Sequence, residues 1–516
     1  MKNNVAKAVG VVLIMNLATK LLGFARETFI ASGFGASSAT DAYLIAYTIP
    51  YFLQAILGFA LVSAVVPVLT KYLVEENYNE AWHVASTILN LTAFVLSFVT
   101  ILGMVGAGFL VKITAPGFEQ DAASLAIQLT RIMFPSVVFM GVGMVISGIL
   151  NASYKFAIPA FAPGLSNIII IFSVVFFSAR YGIIGLAVGT LVSFFGFLVL
   201  QIPVLKSVKF KYSFVLDIKH PAVRQLMFTI GPIVLGVAVN QINLALNRIF
   251  ASWLAEGSIA ALNFAMKLMN LPQGIFVAAV VSAIYPTMAA FAIKGENKPF
   301  AETLLRGLGM VSLITIPAAA GLMVLREPII QLLFERGAFD QQATLATSSA
   351  LLYYSLGLFP GAANMVITRA YYAVGDVRTP VYAGIFSIVV NLILSVALMG
   401  SMAHAGLALA NSLATGGNTL FLYFGLKKHL NSLKGKSLLI SLGKMCLASA
   451  IMALLTWLGA VYLGTRLDLA VKRNLAILVM STITIGGLSY FLAVIILKVE
   501  DVRFLQDALL KKLRKS

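Results

Sequence analysis

Long apolar stretches separated by short polar connections run along almost the whole chain. Each stretch holds about 20 or more mostly apolar residues, which is what a helix needs to cross a hydrocarbon core of about 30 Å. The pattern therefore predicts about fourteen transmembrane helices. Their expected limits are 8–32, 41–70, 82–111, 123–150, 157–179, 182–205, 222–254, 259–292, 300–325, 343–373, 379–400, 404–426, 438–463 and 474–497. The connections are too short for a soluble domain, so the activity is expected inside the membrane.

Composition supports an all-α polytopic membrane protein. Apolar residues form 60% of the 516 residues and charged residues 11%, against about 45–50% and about 25% in soluble domains. The mean hydropathy of +0.95 points the same way. Too few charges are present to cover a soluble surface, which excludes a water-soluble enzyme. The single cysteine, Cys446, excludes an internal disulfide framework.

The basic residues predict the orientation in the membrane. Assigning connections alternately to two sides places 24 Lys and Arg residues on the side of the N-terminus and 7 on the other side. Cytoplasmic connections carry the excess of Lys and Arg, so both termini are expected in the cytoplasm, with an even number of spans. The Lys and Arg residues behind the net charge of +18 are thus concentrated where they orient the protein in the membrane. Nucleic acid is therefore not expected as a partner.

The predicted spans contain far more basic than acidic side chains. Apart from Arg224, Glu302, Arg306 and Lys444, which are counted with the cytoplasmic connections, the basic ones are Lys20, Arg26, Arg131, Arg248, Lys267 and Arg369, and the acidic ones are Glu27 and Asp41. A charge at the bilayer centre costs at least about 2.5–3.5 kcal/mol on insertion scales, so such residues usually face a watery cavity. The excess positive charge indicates an anionic ligand. Arg131 and Arg248 are expected to snorkel at helix ends instead.

Parts of the chain repeat in the same direction. Residues 29–32 (FIAS) resemble 249–252 (IFAS), and 62–67 (VSAVVP) resemble 281–286 (VSAIYP). Six predicted spans separate the two copies. Two six-helix lobes in parallel orientation, with a substrate site at the repeat interface, are a known design of secondary transporters.

The repeat predicts the domain organisation. Residues 1–206 would form the N-lobe with spans 1–6. Residues 207–430 would form the C-lobe with spans 7–12, including a cytoplasmic linker at 207–221. Residues 431–498 would add a helix pair, and 499–516 would form a basic amphipathic tail on the anionic inner leaflet or, equally well, a disordered one.

Several short motifs, in order along the chain, resemble the MurJ/MviN family. They are residues 22–27 (LGFARE), 39–42 (ATDA), 114–118 (TAPGF) and 158–163 (IPAFAP), followed by 231–232 (GP), 249–252 (IFAS) and the 369–380 segment from Arg369 to Pro380. The last segment is shared more widely among polysaccharide and drug exporters of the same superfamily. The resemblance covers nearly the whole chain.

The resemblance implies a flippase of the bacterial cytoplasmic membrane. Its substrate would be lipid II, the undecaprenyl-pyrophosphate-linked peptidoglycan precursor, which moves from the inner to the outer leaflet. The pyrophosphate suits a cationic cavity, and the prenyl tail suits an apolar groove. Lipid II, anionic membrane lipids and cell-wall synthases are the expected partners.

The same resemblance suggests site residues. Lys20, Arg26 and Lys267 are expected to bind the substrate; Arg26 matches the family pattern directly, and the two lysines stand where arginine is frequent. Lysine keeps the charge but lacks the bidentate fork of arginine. Gln54 is neutral at a position that is basic in the family, and Asn270 stands where a carboxylate can occur.

Acidic and neutral polar residues complete the expected site. Glu27 and Asp41 match acidic family positions, and they would either position and release the arginine or serve as structural salt-bridge partners. Four neutral residues are candidate ligands for a coupling ion: Asn240, Asn391, Ser395 and Asn411. Interhelical hydrogen bonds are the alternative role. No cofactor is expected, and the resemblance implies a membrane potential or an ion gradient, with sodium as a candidate, as the driving force.

Other functions remain as alternatives. An exporter of another polyprenyl-linked oligosaccharide in the same superfamily is the main one. A drug exporter would need an acidic cavity, a polyprenyl-phosphate transferase would need grouped carboxylates or histidines, and a structural protein would not need the cavity charges. The four histidines lack metal-ligand spacing and no nucleotide-binding loop is present. No enzymatic activity is expected.

Overall fold

The computed structural model describes residues 2–429 and 436–499, and all regular secondary structure in those residues is helical. Side chains at some of these positions, Gln54 and Asn240 among them, are outside the description, as is the 500–516 tail. The helices are α1 (Lys2–Phe34), α2 (Ser38–Val74), α3 (Tyr78–Val105), α4 (Ala107–Thr114), α5 (Gln120–Met133), α6 (Ser136–Ala152), α7 (Ala157–Ser207), α8 (Pro221–Ala251), α9 (Ser258–Pro272), α10 (Ala278–Ile293), α11 (Asn297–Val324), α12 (Arg326–Leu333), α13 (Gln341–Leu356), α14 (Leu358–Ala373), α15 (Arg378–His429), α16 (Lys436–Gly464) and α17 (Lys472–Ile496). A short π-helical turn, Gln273–Val277, joins α9 to α10.

The all-α membrane fold is confirmed, whereas the number of spans stays a prediction. Among the described residues, eight helical segments are long and apolar enough to cross a membrane, or nine when the bent pair α13 and α14 counts as one span. Two of the eight segments lie in α7 and α15, which have 51 and 52 residues. At 1.5 Å per residue a straight helix of that length would reach more than twice the thickness of the hydrocarbon core.

Both long helices fold back on themselves. In α7 the Ser166 hydroxyl donates to the Ser193 carbonyl at 3.0 Å, although 27 residues of straight helix would span about 40 Å. In α15 the Ser387 hydroxyl donates to the carbonyl of Ala414 at 3.2 Å, with the same separation in sequence. The two hydrogen bonds are 221 residues apart, so the same helical hairpin occurs in both copies of the sequence repeat.

The turn of each hairpin has the same backbone geometry. Gly182 turns α7 at φ 56° and ψ −143°, and Ala403, 221 residues later, turns α15 at φ 48° and ψ −132°. Only glycine adopts such angles without strain, so Ala403 carries a conformational cost of about 1–3 kcal/mol. Just beyond each turn, Gly185 and Gly406 lie against a carbonyl of the preceding arm.

The chain divides into two compact units. The first comprises Met1–Ala260 with Arg336–Phe339. One of its cores joins α2, α3 and α6 with the beginning of α8, through buried side chains such as Leu69, Trp82, Ile149 and Val223. Because lipid tails are as apolar as these side chains, close van der Waals packing between the helices is what stabilises such a core in a bilayer.

The second unit comprises Ala261–Glu335 with Asp340–Ser516. One of its cores joins α10, α11, α14 and α15 through residues such as Phe300, Val366 and Tyr371. The helices α16 and α17 form a separate core against α11, where the Tyr490 hydroxyl donates to the carbonyl of Leu313. The compact units divide the chain after Ala260, whereas the sequence repeat divides it after residue 206. The lobe limits given by the repeat stay a prediction.

Candidate substrate site

Close packing of α1 on α7 creates the polar centre of the first unit. Gly23 has no side chain, and a Cβ there would lie 3.4 Å from the amide nitrogen of Asn167. This approach lets the Asn167 side chain donate to the carbonyl of Thr19 at 3.3 Å. Asn167 is 7% exposed, and its amide is therefore held in a fixed orientation toward α1.

Arg26 is at the centre of this network. Its Nη1 donates to Asn167 Oδ1 at 3.2 Å, and its Nη2 lies 2.5 Å from Glu27 Oε1. The side chain of Arg26 is 17% exposed and that of Glu27 is 4% exposed. The Nε of Arg26 is buried and meets no hydrogen-bond acceptor in the described part of the chain. The guanidinium thus retains donor capacity for a further acceptor.

Lys20 lies on the same helix as Arg26, six residues before it, which corresponds to about 9 Å along the axis. Its side chain is exposed, in contrast to Arg26. The two expected substrate-binding cations of α1 therefore belong to one helix but differ in accessibility.

Three tyrosines line α2 at a spacing of four residues. The rings of Tyr43 and Tyr47 stack with centroids 6.1 Å apart, and Tyr51 continues the row at 5.7 Å from Tyr47. The Tyr43 hydroxyl is 2.9 Å from that of Thr190 in α7. This row joins α2 to the helix that also holds Arg26 through Asn167.

Arg248 does not snorkel, which corrects the expectation from its position near a helix end. It is 9% exposed, its Nη1 donates to the Leu44 carbonyl at 2.7 Å, and the same nitrogen contacts the Thr48 hydroxyl. The guanidinium joins the last turn of α8 to α2. Arg131, by contrast, is exposed at the end of α5.

Asp41 is a cap for α9. It is 4% exposed, and its carboxylate oxygens accept the backbone N–H groups of Gly257 and Ala260 at 2.8 and 2.7 Å. A carboxylate at a helix N-terminus satisfies backbone donors and interacts favourably with the helix dipole. The acidic partner of Arg26 in this structure is Glu27, and the expected gating role of Asp41 stays a prediction.

The second unit holds the remaining candidates. Lys267 is half-buried in α9. Ser395 and Asn391 are buried and joined, since the Ser395 hydroxyl lies 3.0 Å from Asn391 Oδ1. Asn411 is half-buried and its carbonyl accepts from Thr415. The side chain of Asn240, the fourth candidate ligand, lies outside the described residues.

Among the described residues, no group of three or more His, Cys, Asp or Glu side chains is arranged to hold a metal ion. The coupling-ion role of the four neutral candidates, Asn240, Asn391, Ser395 and Asn411, stays a prediction.

Sequence reasoning missed three contributors to the site: Asn167, Tyr43 and Thr190. A lone amide in an otherwise apolar span, here Asn167 within the sequence SNIIII, often makes an interhelical hydrogen bond. The regular spacing of Tyr43, Tyr47 and Tyr51 likewise places them on one helix face. Both signals were available, but neither identifies the partner helix.

The sequence is similar to one protein family over most of its length. The model of the family described as lipid II flippase MurJ matches residues 30–489. A probable lipid II flippase MurJ of Buchnera aphidicola is 32% identical over 424 residues, covering 81% of this chain and 83% of the relative. The corresponding protein of Synechocystis is 29% identical over 535 residues and covers 99% and 98% of the two chains.

Solved structures agree with the sequence comparison. A lipid II flippase MurJ in an inward closed conformation matches 96% of this chain and 99% of its own, with a TM-score of 0.79 and 28% identity. An inward-facing multidrug transporter of the MATE family matches 82% of this chain and 99% of its own, with a TM-score of 0.68 and 15% identity. The second match concerns the fold alone.

Proposed function

The chain belongs to the lipid II flippase MurJ family, and we propose that it moves lipid II across the membrane by alternating access around a cationic cavity. The family prediction made from the sequence motifs is confirmed, and the protein is a lipid II flippase. Its many apolar helices and its bacterial family place it in the cytoplasmic membrane. The cavity, the direction of transport and the orientation of the termini belong to the proposal.

The geometry of Arg26 supports the proposal most directly. The guanidinium is mostly buried and oriented by Asn167 and Glu27, and its buried Nε meets no acceptor among the residues that the structure describes, so it is prepared for an incoming anion. Pyrophosphate offers several acceptor oxygens, and arginine binds phosphate in fixed geometry. Glu27 keeps the guanidinium in place while the substrate is absent.

Two lysines are proposed to assist. Lys20 is exposed on the same helix as Arg26 and would meet the substrate before Arg26 does. Lys267 is the corresponding candidate within the second unit, in the helix that the repeat relates to α2. Both carry a positive charge but lack the planar guanidinium that binds phosphate through two N–H groups. Each is therefore expected to contribute less to substrate binding than Arg26.

We propose further that a membrane potential or a sodium gradient drives transport, and that the protein has no enzymatic activity. A substrate that carries a pyrophosphate responds to the membrane potential, at about 2.3 kcal/mol per charge and 100 mV. The joined pair of Asn391 and Ser395 supplies neutral oxygens for a sodium ion. Transport that depends on the membrane potential would identify the potential as the driving force, and transport that depends on a sodium gradient would identify sodium.

The test uses the full chain in liposomes with a fluorescent lipid II in one leaflet. Its appearance in the other leaflet is followed under an imposed potential and, separately, under a sodium gradient. Translocation of lipid II, reduced at least tenfold by the double change Arg26→Ala with Glu27→Gln and less by Lys20→Ala or Lys267→Ala, supports the proposal. Transport of a different polyprenyl-linked oligosaccharide with no movement of lipid II would instead favour the alternative exporter function.

A further inference from the structure

The connection between α7 and α8 is an extended segment. It covers residues 208–220, which we call the strap, and after its first turn residues 210–217 have neither helix nor turn structure. The strap belongs entirely to the first unit. A thirteen-residue connection without regular structure is unusual in a compact fold and is often functional.

One face of the strap is fastened to α3. The Asn90 amide donates to the carbonyls of Ser213 and Val215 at 3.2 and 2.8 Å, and the Ser213 N–H donates to the Ser86 hydroxyl at 3.1 Å. The Tyr212 hydroxyl donates to Asn90 Oδ1 at 2.7 Å. Side chains therefore satisfy the backbone of the strap in place of a neighbouring strand.

Two histidines fasten the end of the strap. His220 Nδ1 accepts the N–H of Ala222, so its Nε2 carries the hydrogen and donates to Glu80 Oε1 at 2.7 Å. His83 Nε2 lies 3.4 Å from Asp217 Oδ2. The strap is thus fixed along its length and presents a defined outer face.

The outer face is apolar and exposed. Side chains alternate along an extended chain. The positions between Ser213, Val215 and Asp217 are Phe214 and Leu216, which are 91% and 48% exposed, and Ile218 follows in the next turn at 47%. The Tyr212 hydroxyl, in contrast, is bound to Asn90. A row of three such apolar side chains would be costly in water. Its presence indicates that something apolar covers it.

Lysines and a cavity accompany this row. Lys206, Lys209, Lys211 and Lys219 are all exposed, and the acidic residue of the strap, Asp217, lies beside His83. Beneath the strap, a cavity of about 370 Å³ is lined mainly by apolar side chains of α3, α6 and α7, and its polar lining residues are Asn90, Lys206 and Tyr212.

An aromatic pair lies at the beginning of the strap, where the ring of Trp82 packs edge-on against that of Phe210 with centroids 5.3 Å apart. Trp and Tyr are enriched at the membrane interface.

We propose that the strap and the cavity beneath it form a binding site for an anionic phospholipid of the adjoining leaflet. The apolar row enters the interface, an acyl chain occupies the cavity, and Lys206 and Lys211 bind the phosphate. Charge complementarity favours a lipid over a protein partner, because basic segments beside membrane spans are attracted to anionic lipid. This site is separate from Arg26 and does not depend on lipid II as the substrate.

The first experiment places a fluorescent label on the strap of the full chain in lipid nanodiscs. Cys446→Ser removes the native thiol, Phe214→Cys carries the label, and brominated phosphatidylglycerol or phosphatidylcholine serves as quencher. Glu76→Cys, exposed in the turn between α2 and α3, is the control label. Quenching at position 214 but not at 76, and stronger by the anionic lipid at equal mole fraction, is expected.

The second experiment separates charge from hydrophobicity. Lys206→Ala with Lys211→Ala should lower the preference for phosphatidylglycerol by on the order of tenfold or more. Lys294→Ala with Lys298→Ala, two exposed lysines at the end of α10 and the beginning of α11, should leave the preference unchanged. Ala93→Trp, which fills the cavity from α3, should reduce lipid retention as measured by native mass spectrometry.

Three outcomes would overturn the proposal. One is a label at position 214 that neither lipid quenches. Another is equal quenching by both lipids with no effect of the strap lysines. The third is a label shielded from aqueous quencher only after a soluble protein extract is added, which would identify a protein as the occupant.

Discussion

Nη2 of Arg26 lies 2.5 Å from Oε1 of Glu27, the next residue of the same helix. The pair is largely buried, and Asn167 holds the guanidinium from α7. Removing one member of a buried ion pair is far more costly than replacing both. A loss of transport in a single variant would therefore not separate substrate binding from structural stability.

We expect the double variant Arg26→Ala with Glu27→Gln to be more stable than Arg26→Ala alone. The single change removes the cation beside a buried carboxylate and should destabilise the protein by about 3 kcal/mol. The second change neutralises that carboxylate. Thermal denaturation of the purified variants in detergent measures the difference, and a double variant as unstable as the single one would contradict the assignment.

Arg248→Ala should destabilise the protein by about 2 kcal/mol because a buried, charged donor to the carbonyl of Leu44 is lost. Arg131→Ala, at an exposed position, should change stability by no more than about 0.5 kcal/mol. Transport per folded molecule should remain in both variants. Equal melting temperatures for the two variants would argue against a structural role of Arg248.

Asp41→Ala should lower stability by about 2 kcal/mol, since two buried backbone N–H groups of the α9 terminus lose a charged acceptor. Asp41→Asn retains one side-chain oxygen and should fall between the wild type and Asp41→Ala. The comparison is Asp340→Ala, which removes a more exposed cap from α13 and should cost about 1 kcal/mol. A melting temperature for Asp41→Ala no lower than that of Asp340→Ala would contradict the buried cap.

Alanine substitution at two glycines of α15 should have opposite effects. A Cβ at Gly406 would lie 2.6 Å from the carbonyl oxygen of Leu398, whereas a Cβ at Gly416 meets nothing within 4 Å. Gly406→Ala should therefore destabilise the protein by about 1–3 kcal/mol, and Gly416→Ala should stabilise it by about 0.5–1 kcal/mol. Melting temperatures that shift in the same direction would argue against the folded-back hairpin.

The fold was largely predictable because apolar stretches of membrane length and the repeat are local or periodic features of the sequence. The equivalence of the two hairpin turns was not, because one turn uses glycine and the other Ala403. The predicted connections at 180–181 and 401–403 locate both turns to within one residue, but an alanine gives no signal of a positive φ.

The site was only partly predictable. The charges of Lys20, Arg26 and Glu27 are visible in the sequence, because ionisable residues in apolar spans are rare. The contact of Arg26 with Asn167, 141 residues away, requires knowledge of which helices pack together. Arg248 was misjudged for the same reason, since its position near the end of α8 does not reveal that α2 covers it.

Substrate binding by Arg26 is tested most directly with the double variant Arg26→Ala with Glu27→Gln. Its lipid II translocation in liposomes is compared with that of the wild type at matched amounts of folded protein. Because the double change avoids a buried carboxylate without its cation, the fold is expected to persist. We expect at least a tenfold loss of translocation. A double variant that moves lipid II as fast as the wild type would show that Arg26 does not bind the substrate.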